Sequence, residues 1–70
     1  MKILNSIEFG QALKLRRKEL GYTQQNLSDY TGLSVSFLSD LENGKRTAEL
    51  DKALYVAGIL GMDLELRSRS

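Results

Sequence analysis

Glycine does all the punctuation in this chain. There is no proline among the 70 residues, and four of the six glycines, Gly21, Gly32, Gly44 and Gly61, close stretches of helical length. A glycine just past an apolar-periodic stretch suits the left-handed position where helices end. Gly10 and Gly58 fall inside stretches instead. The spacing therefore predicts four short helices. In the first, Asn5 with Glu8 three residues on reads as a capping box, and Phe9, Leu13, Arg17 and Leu20 share one face up to Leu20. In the second, Thr23 caps Gln24 to about Tyr30, with Leu27 and Tyr30 or Thr31 pointing one way. The third runs from Val35 to Glu42 behind the cap Ser34, with Phe37, Leu38 and Leu41 apolar, and Asn43-Gly44 stops it. The fourth is expected over 48–60, capped by Thr47, with Leu50, Leu54, Ala57 and Leu60 inward. The expected core is Phe9, Leu13, Leu20, Leu27, Leu38, Leu41, Leu54 and Leu60.

After Gly61 the period changes. Met62, Leu64 and Leu66 alternate with Asp63, Glu65 and Arg67, the period of two of a strand with one apolar face. A lone strand leaves its N–H and C=O groups unpaired, so residues 62–67 need an edge outside the helical body. Ile3-Leu4 is the only other short strand candidate.

Composition narrows the function. At 41% apolar and a net charge of +1, the chain can bury one core, and it is not a binder held by bulk positive charge. Without cysteine or histidine there is no disulfide framework, no Cys/His metal site, no thiol nucleophile and no imidazole base, so neither an enzyme nor a cofactor is expected. No run approaches the roughly 20 apolar residues of a membrane span, and Met1 to Asn5 is too short and polar for a signal peptide. A cytoplasmic protein of one domain, residues 1–70, is expected.

The informative stretch is Gln24 to Gly44. Two short helices meet at a tight turn on Gly32, Ser28 is small where they cross, and Leu27, Leu38 and Leu41 anchor both to the helix before them. This is the grammar of a helix-turn-helix. Phe9-Gly10, Leu13, Arg17, Gly21-Tyr22-Thr23-Gln24, Leu27-Ser28, Gly32-Leu33-Ser34, Leu38-Ser39 and Glu42-Asn43-Gly44-Lys45 resemble the phage-repressor and Cro type of helix-turn-helix, the XRE family. The likeness covers about residues 9–61 and implies an all-α, four-helix, lambda-repressor-like fold. It also implies roles. Arg17 and Glu42 match a structural salt bridge between the first and third helices. Thr23, Gln24, Asn43, Lys45 and Arg46 match positions that grip DNA phosphates. Ser34, Val35, Ser36, Ser39 and Asp40 match the base-facing side of the recognition helix.

A repressor domain whose fourth helix runs straight into a strand is also similar to the HipB-type antitoxins. In that group the C-terminal strands of two subunits pair across a dimer axis, and the antitoxin binds a HipA-type kinase toxin. The implied partners are a palindromic double-stranded DNA operator, a second copy joined through Met62, Leu64 and Leu66, and such a toxin, with no membrane partner.

The residues themselves leave alternatives open. Serine can donate to or accept from any base edge, and Val35 can pack on a thymine methyl. Yet the outer face of the third helix carries no Arg, Lys, Gln or Asn before Asn43, and Asp40 is acidic where DNA is acidic. A protein-interaction module with decayed DNA contacts therefore stands beside the repressor. Lys14 and Arg16 read equally as a solvated helix face or as phosphate contacts.

Overall fold

The computed structural model describes residues 2–70; Met1, the first residue of the expected domain, lies outside the described residues. Four helices form the body: α1 (Ser6–Glu19), α2 (Gln24–Thr31), α3 (Val35–Glu42) and α4 (Leu50–Ile59). α3 packs against both α1 and α2, and α2 also packs against α4. Leu13, Leu27, Leu38, Leu41, Ala53, Val56, Ala57 and Leu60 form the core. The dividing glycines all take positive φ, from +72° at Gly61 to +83° at Gly44.

Local signals set most boundaries. The Asn5 side chain accepts from the Glu8 amide at 2.8 Å, but the Glu8 carboxylate accepts from the amide of Leu4, at 2.7 Å, rather than from that of Asn5. At α2 the capping box is complete: the Asn26 amide donates to Thr23 Oγ1 at 3.0 Å, and the Thr23 amide donates to Asn26 Oδ1 at 2.9 Å. Ser34 Oγ accepts from the Phe37 amide and opens α3. Ser28 Oγ donates to the Leu33 carbonyl at 2.6 Å, fixing the turn between the two helices.

The fourth helix departs from expectation in start and in register. It begins at Leu50 behind Glu49, which makes no side-chain cap bond, and Thr47 lies outside it. The chain first closes a turn, with the Lys45 amide donating to the Asp40 carbonyl at 3.0 Å and the Ala48 amide to the Lys45 carbonyl at 3.4 Å. Ala48 then packs on the core before the helix starts. The buried face is Ala53, Val56, Ala57 and Leu60; Leu50 and Leu54 are exposed, at 69% and 40%. Turning the small Ala53 inward lets α4 lie closer to its neighbours, which a leucine stripe would prevent. Leu20 is also outside the core, because it is the cap residue past the last turn of α1 and Tyr22 packs against the core instead.

The expected strand at 62–67 does not form in the single chain: among the described residues there is no strand. Met62 is half-buried against the core, whereas Leu64 is exposed and Leu66 fully so. The helical body presents no sheet edge, so the tail's backbone groups have nothing in the chain to pair with.

Candidate nucleic-acid interface

Three helices meet at one buried ion pair. Arg17 of α1 and Glu42 of α3 are 8% and 6% exposed. The guanidinium donates from Nε to Glu42 Oε2 at 2.7 Å and from Nη2 to Oε1 at 3.0 Å, a bidentate fork. Its Nη1 donates to the Tyr22 carbonyl, and the Gln24 side-chain amide donates to Glu42 Oε1 at 3.1 Å. The last turn of α3 is thus locked to α1 and to the first turn of α2. Two charges removed from water are tolerated because each is met by its counter-charge and by further hydrogen bonds.

A second brace holds the turn after α3. A methyl group at Gly10 would fall on the carbonyl oxygens of Leu41 and Glu42, so only glycine lets α1 approach this closely. Ser6 Oγ donates to the Gly44 carbonyl at 2.8 Å. Gly44, at positive φ, sits directly against Ile7. Neither Ser6 nor Gly10 was singled out as positioning this turn in the sequence. Small residues four apart on one helix face are the signal that could have found them.

These braces bring the candidate DNA residues onto neighbouring turns. Thr23 and Gln24 open α2; with Thr23 and Asn26 engaged in capping, the backbone N–H groups of Gln24 and Gln25 meet no acceptor among the described residues. A helix N-terminus with outward amides favours an anion. Ser34 opens α3 with its hydroxyl oxygen capping the helix, Ser36 is exposed, and Val35, Ser39 and Asp40 are half-buried. Asn43, Lys45 and Arg46 follow on the next turn, all exposed. Asn43 Nδ2 lies 3.5 Å from Ser39 Oγ, and Lys45 Nζ lies 3.5 Å from Asp40 Oδ2. Arg46 takes part in no ion pair among the described residues.

Arg16 falls elsewhere. Its Nε donates to the Leu60 carbonyl at 2.9 Å and so closes the end of α4. Lys14 stays exposed on α1. Tyr22 and Tyr30 pack edge to face, their centroids 5.2 Å apart. No helix of the described residues is long and apolar enough to cross a membrane.

Comparison with known proteins agrees with this fold. A helix-turn-helix family model matches residues 13–66. The chain is 32% identical over 65 residues to an uncharacterised HTH-type transcriptional regulator, y4mF, of Sinorhizobium fredii, covering 93% of this chain and 86% of that protein. It is 38% identical over 55 residues to the immunity repressor protein of Bacillus phage phi105, covering 79% of this chain but 38% of that protein. Among solved structures, a HipB–O4 20mer complex superposes over 100% of this chain and 99% of its own, with a TM-score of 0.89 at 24% identity. A HipA–HipB–O2–O3 complex gives the same TM-score of 0.89. The chain belongs to the XRE-type helix-turn-helix family of transcriptional regulators.

Proposed function

We propose that this protein is a sequence-specific repressor that binds a palindromic operator as a homodimer. The observation that carries the reading is the sealed Arg17–Glu42–Gln24 junction, which holds the amide-rich start of α2, the outer face of α3 and the 43–46 turn in one rigid arrangement. In this reading α3 enters the major groove. Ser34, Val35, Ser36, Ser39 and Asp40 face base edges, while Thr23, Gln24, Asn43, Lys45 and Arg46 hold phosphates on either side. Two such helices about 34 Å apart reach successive major grooves on one face of the DNA.

Two features support a second copy as the partner of the tail. A monomer of 7.9 kDa is expected to expose about 4,400 Å², whereas this chain exposes 5232 Å². The surplus is close to the roughly 800 Å² each partner buries in a standard interface. Beside the tail lies a mostly apolar groove of about 230 Å³ lined by Ile3, Phe9, Ala57, Met62 and Leu64, with Asp63 among its lining residues. The tail is also acidic at Asp63 and Glu65 and basic at Arg67 and Arg69. Antiparallel pairing of two tails centred on Leu66 sets Glu65 opposite Arg67 and Asp63 opposite Arg69, whereas in-register parallel pairing sets like on like. The likeness to HipB, solved in complexes with a 20mer and with HipA, supports the narrower reading of an antitoxin that binds a HipA-type kinase toxin.

Fluorescence anisotropy with DNA from upstream of the protein's own gene tests the reading. Saturable binding whose affinity falls steeply with salt, and which exceeds that for scrambled DNA, supports it; equal affinity for both defeats sequence-specific repression. Asp40 and the absence of exposed cations on α3 favour one rival, a protein-interaction module, which the same assay separates because it would bind neither DNA.

A further inference from the structure

The outer face of α3 carries one charge, and it is negative. Glu42 is sealed against Arg17, which leaves the half-exposed carboxylate of Asp40 as the only net charge that α3 presents. The nearest cation is the residue expected to hold a phosphate. Lys45 Nζ sits 3.5 Å from Asp40 Oδ2, and the Lys45 amide donates to the Asp40 carbonyl at 3.0 Å, so the pair is held at both backbone and side chain. Both side chains are about half exposed, at 49% for Asp40 and 54% for Lys45, so the ammonium can turn away without unfolding anything.

Resting on the DNA-binding reading above, we propose that Asp40 sets base specificity through an exchange with Lys45. On free protein the two neutralise each other. On DNA, Lys45 moves to a phosphate, and Asp40 is left facing the floor of the major groove. Guanine N7 and O6, adenine N7 and thymine O4 are all acceptors there and repel a carboxylate. Only the exocyclic amino groups, cytosine N4 and adenine N6, offer a donor, and cytosine N4 is the usual partner of an acidic side chain. The exchange therefore completes where an amino-bearing base lies beneath Asp40. At other sites it either strands the carboxylate or keeps Lys45 off its phosphate. The serines of α3 tolerate any base edge, so most of the discrimination comes from this rejection rather than from attraction.

The test is selection from a library of duplexes with a randomised core, using the full chain as wild type, Asp40→Ala and Asp51→Asn. Asp51 is exposed on α4, so its variant makes the same change in net charge away from α3. Wild type should enrich cytosine, or adenine as the other amino base, at one fixed position in each half-site. Asp40→Ala should lose that preference and bind an unselected 20-bp duplex more tightly, and its ratio of selected to unselected affinity should fall by roughly 5- to 150-fold. Its salt slope on unselected DNA should steepen by about one, because Lys45 is released to a phosphate. Asp51→Asn should keep the ratio. An Asp40→Ala protein that selects the same base with the same ratio overturns the inference and leaves the DNA reading standing. So does an Asp51→Asn protein whose ratio falls equally. A wild type that enriches no sequence removes the repressor reading and this inference together.

Discussion

At the meeting point of α1, α2 and α3, Arg17 and Glu42 are each less than a tenth exposed, and their charged groups find partners within the chain. In the tail, Leu64 is about half exposed and Leu66 fully so, and the backbone from Asp63 onward joins no helix or strand. The only ion pair there among the described residues is local, Arg67 to Glu65 at 2.9 Å on exposed side chains, and such a pair contributes little. Both regions are strongly patterned. The first pattern is consumed inside one molecule and makes a rigid body. The second is left over in the single chain, and in the proposed dimer a second copy covers it.

Breaking the junction should have the largest effect. Glu42→Ala leaves Arg17 buried without its counter-charge, which costs on the order of 3–5 kcal/mol. In a domain this small that should lower the melting temperature by well over 10 °C, read by circular dichroism. Gly10→Ala should come next, at about 1–3 kcal/mol, because the new methyl meets backbone carbonyls that cannot move aside cheaply. It should also weaken DNA binding beyond its effect on stability, by displacing the end of α3 from α1. Thr23→Ala removes one half of the α2 capping box and should cost about 1 kcal/mol in chemical denaturation. Lys45→Ala should leave stability within about 0.5 kcal/mol of wild type. It should weaken binding to all DNA and lower the salt slope on a selected site by about one. Ser39→Ala should instead alter preference among sites. If the two roles come out exchanged, the division between phosphate and base residues is wrong.

The contrast also explains which parts of the molecule could be read in advance. Caps and turn glycines are local signals, so Asn5, Thr23, Ser34 and the positive-φ glycines sat where their neighbours placed them. The spacing of Arg17 and Glu42 was legible because it resembles a family pattern. The register of α4 was not. Two apolar stripes share Ala57 and Leu60, and periodicity alone prefers the one with larger residues. Packing distance chose the stripe with Ala53 and Val56 and left Leu50 and Leu54 outside. Gly10 failed differently: a glycine inside a helix reads as a weakness until the carbonyls lying against it are known. The tail's period of two was real, but whether it becomes a strand depends on an edge that one chain does not contain.

Selection from randomised duplexes, run in parallel on the full chain and on Leu64→Lys, tests the central claim that the body reads DNA and the tail pairs two bodies. The full chain should recover a two-fold symmetric site with half-sites centred about one helical turn, 10–10.5 bp, apart. Leu64→Lys, still folded by circular dichroism, should recover a single half-site at much lower affinity. A full chain that selects an asymmetric site, or a Leu64→Lys protein that keeps the palindrome at full affinity, would contradict the account.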